Sequence, residues 1–78
     1  MRTYDHAPEQ LHRLMQARAW TLESLSRRTQ IAPQTLRAYL TGRRRTISTR
    51  NMAALAAAFE MPLADLMDLF AESCRFVQ

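Results

Sequence analysis

Apolar residues recur along this chain three, four and seven positions apart, the spacing of helices that each bury one face. Leu11, Leu14, Met15 and Arg18 fall on one stripe of a first helix, from about Pro8 to about Arg18, and that stripe is expected to be its buried face. Pro8 suits the first turn, where its missing N–H has no helical partner to lose. Trp20 then ends the connection as a large apolar anchor. Thr21 follows as an N-cap for a second helix, Leu22 to about Thr29, with Glu23 complementing the positive end of its dipole. A third helix is expected to open at Pro33 and run to about Leu40 or Thr41, stopped by Gly42, the residue best suited to a left-handed cap.

Beyond Arg43-Arg44-Arg45-Thr46-Ile47, either Ser48 or Thr49 can cap a fourth helix ending at Phe59. There Met52, Leu55, Ala56 and Phe59 repeat at helical spacing within an alanine-rich run. Met61-Pro62 breaks the pattern. A fifth helix, Leu63 to about Cys74, carries Leu63, Leu66, Met67, Leu69 and Phe70, a wider stripe than one helix of so small a core needs. The surplus points to a partner surface, for which Leu66, Met67, Phe70, Phe76 and Val77 are the expected contacts.

The short break around Gln30-Ile31-Ala32 forces the second and third helices to cross steeply, as in a helix-turn-helix unit. The fold class is therefore an all-α, compact five-helix bundle containing a helix-turn-helix. With 78 residues, 47% of them hydrophobic, the chain reads as a single domain over 1–78, its core spanning about 8–74 and a tail at 75–78. One Gly and three Pro supply little material for the turns of an all-β fold.

Cys74 is the sole cysteine, so no intrachain disulfide can form, and a small apolar packing role suits it better than redox chemistry. Met1 to Pro8 is polar, with no apolar core of a secretory signal, and no stretch approaches the roughly 20 apolar residues of a membrane span. The expected location is the cytoplasm. His6 and His12 lack ligand-like companions, so neither metal nor cofactor is expected. There is also no catalytic constellation, and a bundle this size is expected to be too small for a substrate pocket of about 300 Å³ or more. Neither an enzyme nor a small-molecule receptor is expected.

Charge sharpens the picture. Eleven Arg and no Lys stand against seven acidic residues, for a net charge of +4. No acidic residue lies between Ser24 and Phe59, a span holding Arg27, Arg28, Arg37, Arg43, Arg44, Arg45 and Arg50. Glu60, Asp65, Asp68 and Glu72 follow, with no basic residue until Arg75. A cationic half and a non-cationic half suit a polyanion on one surface and a different contact on the other.

The third helix has the make-up needed to enter a DNA major groove, which is about 12 Å wide and admits one helix with hydrogen-bonding groups outward. Leu36 with Tyr39 or Leu40 would face inward, leaving Pro33, Gln34, Arg37, Ala38 and Thr41 outward. Gln can pair with adenine, Arg with guanine, and an Ala methyl can touch that of thymine. Trp20 and Tyr39 fall on packing positions and are read as core anchors rather than base-stacking platforms.

The stretch from Thr21 to Gly42 resembles the helix-turn-helix of the Cro and phage-repressor family, also called the xenobiotic-response-element type. The likeness rests on Trp20-Thr21-Leu22-Glu23, Leu25, Ile31, Thr35-Leu36, and Gly42 three after Tyr39. It continues through Leu55-Ala56, Phe59, Met61 and Leu66, and so extends from about Leu11 to Leu69. Departures are Ser26 where the family often has Ala, Gln30 and Glu60 where it often has Gly, Ala32 at a common Ser or Thr cap, and Leu22 where Gln is frequent. The resemblance implies a lambda-repressor-like DNA-binding domain that reads bases through Gln34, Arg37, Ala38 and Pro33. It implies backbone contacts through Thr21, Leu22, Thr35, Thr41, Arg43, Arg44 and Arg45, with the start of the second helix offering amides to a phosphate.

The expected function is a sequence-specific double-stranded DNA-binding transcriptional regulator, a repressor, that binds a pseudo-palindromic operator as a homodimer. The competing reading, from another class, is an antitoxin-like protein-interaction module using the same fold without reading DNA.

Overall fold

The computed structural model of the chain describes residues 4–71. Five helices are present among them: α1 (Ala7–Ala17), α2 (Leu22–Thr29), α3 (Pro33–Thr41), α4 (Thr49–Phe59) and α5 (Leu63–Ala71). The periodicity predicts this set, in this order. The expected last turn of α5, to Cys74, lies outside the described residues, as does the 75–78 tail.

Four of the five helix starts have an identifiable cause. Pro8 sits in the first turn of α1. Thr21 Oγ1 accepts the Ser24 amide at 3.2 Å to cap α2, and Ser48, rather than Thr49, caps α4 by accepting the Asn51 amide at 3.1 Å. Such caps contribute about 1 kcal/mol each. α3 has no side-chain cap: the Ala32 carbonyl takes the Thr35 and Leu36 amides, and Pro33 supplies a preset φ.

The core gathers buried residues from every helix, three from α1 and four from α4 among them. Leu11, Leu25, Leu36, Leu55, Leu66 and Phe70 are all 0% exposed, and Ile31 from the turn and Ile47 from the loop join them. Burying side chains of this size contributes roughly 1.5–3 kcal/mol each. α1 packs against α3 and α5, α2 against α3 and α4, and α4 against α5. α3 is thus backed by α1 and α2, with its other side left to solvent.

Three sequence expectations need correction. Arg18 is not part of the buried stripe of α1. It is an exposed C-cap whose guanidinium donates to the Phe59 carbonyl at 3.1 Å and lies 5.1 Å from the Phe59 ring. A planar cation can cover an aromatic ring and satisfy a helix-end carbonyl while staying wet. The N-terminal segment is polar but not merely peripheral: Tyr4 is 4% exposed and belongs to the core, and its amide donates to the Arg45 carbonyl at 2.8 Å. Finally, Leu66 and Phe70, expected at a partner surface, are buried in this chain's own core. The half-buried apolar residues of α5 are instead Leu63, Met67, Leu69 and Ala71.

Candidate nucleic-acid interface

The turn between α2 and α3 is built by polar side chains turned inward. Gln30 occupies the left-handed region at φ 63°, where glycine is normally favoured, and its amide reaches the Ser26 carbonyl at 2.7 Å. Ser26 Oγ donates to the Ile31 carbonyl at 2.6 Å. Thr29, itself buried, donates to the Leu25 carbonyl at 2.8 Å and accepts the Ile31 amide at 3.3 Å. Both polar groups of Ile31 are therefore satisfied by side chains while its own side chain enters the core, and α3 leaves α2 in a defined direction.

α3 anchors through Leu36 and Tyr39, and the Tyr39 hydroxyl accepts from Asn51 Nδ2 of α4 at 3.0 Å. Pro33, Gln34, Arg37 and Thr41 are exposed, and Thr35 and Ala38 are half-buried at the edge of that surface. Gly42 closes the helix at φ 80°, and the Arg44 amide then returns to the Ala38 carbonyl at 3.1 Å. That bond folds the arginine loop back along the helix it follows. As a result Gln34, Thr35, Ala38, Arg43 and Arg44 line one open concavity of about 320 Å³. A second, of about 330 Å³, is lined by Thr35 with Gln30 and Ala32 of the turn and Arg50 of α4. Concavities of this volume exceed the sequence expectation; both are open to solvent, the first along α3 and the second between the α2–α3 turn and α4.

The remaining expected site residues divide into two groups. Thr21 and Leu22 stand at the start of α2, where the amides of Leu22 and Glu23 have no partner among the described residues. Those amides and the helix dipole favour an anion. Thr41 and Arg45 are partly committed elsewhere. The Thr41 hydroxyl donates back to the Arg37 carbonyl at 3.0 Å, so its single proton is already in use, and Arg45 pairs with Asp5 at 3.6 Å. Phe76 and Val77 lie outside the described residues.

Arg50, which the sequence marks only as one cation of the acid-free span, lines the second concavity from the first turn of α4. The same acid-free span raises Arg27 and Arg28, which line a smaller open concavity of about 170 Å³ with Ser24. Arg28 stacks over Trp20 at 4.3 Å, and the Trp20 ring also stacks on Phe59 at 5.4 Å and lies 5.7 Å from the Arg18 guanidinium. Trp20 and Tyr39 are thus packing residues, as their positions predict.

Compared with known proteins, residues 10–72 match the family model of the Cro/C1-type HTH DNA-binding domain. No curated protein and no solved structure matches the chain.

Proposed function

This chain belongs to the Cro/C1-type HTH DNA-binding family, a family of DNA-binding regulators rather than enzymes, and from that premise we propose that it is a repressor that binds a pseudo-palindromic operator as a homodimer. In this reading α3 lies in the major groove. Gln34, Arg37 and Ala38 read base edges beside Pro33, while Thr35, Arg43, Arg44 and the start of α2 at Thr21-Leu22 hold phosphates; Thr41 and Arg45 stand next to them with donors engaged within the chain. The carrying observation is that Gln34, Thr35 and Ala38 share one open groove with Arg43 and Arg44. Hydrogen-bonding groups able to read bases and cations able to neutralise phosphate thus stand on one surface, with the spacing held by backbone bonds.

The homodimer rests on the exposed part of α5, where Leu63, Met67 and Leu69 leave apolar surface beside Asp65 and Asp68, away from the arginine-rich span. Joining two copies there would keep the cationic surfaces free, and two recognition helices about 34 Å apart would meet successive major grooves on one face of the duplex. As a DNA regulator the protein acts in the cytoplasm. None of the helices among the described residues is long and apolar enough to cross a membrane.

Selection of bound duplexes from a random pool tests this directly. The expected product is a two-fold symmetric motif with half-sites one turn apart. Failure of the folded protein to bind any duplex at low salt would sink the reading and favour a protein-interaction module.

A further inference from the structure

Of three consecutive arginines, two line the groove beside Gln34 and Ala38, and the third does not. Arg45 is bent back over the end of α3. One guanidinium nitrogen is 3.6 Å from Asp5 Oδ1, and the other is 3.7 Å from where a Cβ on Gly42 would stand. We propose that Asp5 is a positioning residue of the DNA interface: it holds Arg45 off the duplex and thereby sets how many phosphates each protomer neutralises.

An exposed ion pair is ordinarily weak, because two long side chains must be ordered in water to make it. Here one partner is ordered in advance. The residue before Asp5 donates its amide to the Arg45 carbonyl at 2.8 Å and buries its ring in the core, and the residue after it donates to the Phe70 carbonyl at 3.0 Å. The Asp5 backbone is therefore pinned on both sides, and only a short side chain and Arg45 remain to be fixed. The pair is also reachable: its side chains are 52% and 64% exposed. A phosphate can compete with the carboxylate for the same guanidinium, and the carboxylate repels that phosphate while it stays.

This inference rests on the DNA-binding reading, and the test separates the two. The 78-residue chain and its Asp5→Asn variant are titrated with a labelled random-sequence duplex two helical turns long, over roughly 50 to 200 mM salt. The variant is expected to bind about two- to fivefold more tightly at the low end. Its plot of log affinity against log salt should be steeper by about 0.9 for each phosphate gained. Arg45→Ala should change little by itself and should erase the gain when combined with Asp5→Asn, the coupling expected of groups that act on each other. Equal affinity and slope for Asp5→Asn and the parent overturn the proposal. So does weaker binding by the variant, which would make Asp5 a support for the loop rather than a restraint on Arg45. Absence of binding by the parent protein overturns the DNA reading itself, and this inference with it.

Discussion

The Arg44 amide and the Ala38 carbonyl are 3.1 Å apart, and that single bond ties the arginine loop to the middle of α3. A loop held only by its ends could swing its cations toward or away from a polyanion. This one moves with the helix, so base-facing and phosphate-facing groups keep a constant separation. Pre-set geometry of this kind reduces the ordering that binding must otherwise supply.

Substitutions on the two sides of that bond should therefore differ in kind. Arg37→Ala is expected to relax preference at one or two base positions and to cost about 1–3 kcal/mol on the best site. Arg44→Ala should weaken all sequences alike and flatten the salt dependence by about one phosphate contact. Titrations against the selected site and single-mismatch sites, repeated at several salt concentrations, distinguish them. Uniform losses for Arg37→Ala would make it a phosphate anchor instead.

Gly42 sits at φ 80°, and a Cβ there would stand 3.6 Å from Pro8 and 3.7 Å from Arg45, ordinary contact distances. The strain in Gly42→Ala is thus conformational rather than steric crowding. A loss of about 1–2 kcal/mol is expected by urea unfolding. Because the arginine loop begins at this cap, DNA affinity should fall with it. No change in unfolding midpoint would mean that the left-handed cap is not required.

Thr29→Val keeps shape but deletes the hydroxyl that accepts the Ile31 amide. The amide would be left without a partner at a buried position, an expected destabilisation of about 1–3 kcal/mol. Hydrogen exchange should place the loss at the α2–α3 turn, with the Ile31 amide exchanging faster than in the parent. An unaltered Ile31 exchange rate would refute the role assigned to the hydroxyl.

These devices explain what was legible in the sequence. Helix boundaries could be read because capping chemistry is local: Thr21, Pro33, Gly42 and the Ser48 region sit where the structure uses them. The exposed face of α3 could be read because Leu36 and Tyr39 leave only one orientation for Gln34 and Arg37. The burial of Tyr4 could not, since a lone aromatic among polar neighbours has no period to reveal its direction. Nor could the division of labour within Leu63 to Phe70, because six apolar residues in eight positions satisfy more than one helix face. Ser26 and Thr29 were opaque for a different reason. A hydroxyl that completes a turn is indistinguishable in sequence from one that faces water, and only the position of the Ile31 backbone tells them apart.

The division within α5 yields the last prediction. Leu66 is 0% exposed, so Leu66→Ala should open a cavity in the chain's own core and destabilise it by about 2–5 kcal/mol, whatever the assembly state. Met67 and Leu69 are only half-buried, so placing Glu at both should destabilise the single chain less than Leu66→Ala does. If two copies meet through this face, however, the paired substitution puts four like charges into one apolar contact, and association should be lost. Sedimentation would then report a monomer. Binding to a full symmetric operator should fall toward that of a half-site, because the second recognition helix no longer arrives with the first. A Met67→Glu, Leu69→Glu protein that still sediments as a dimer would move the interface elsewhere, and one that is monomeric yet binds the full site undiminished would remove the dimer from recognition altogether.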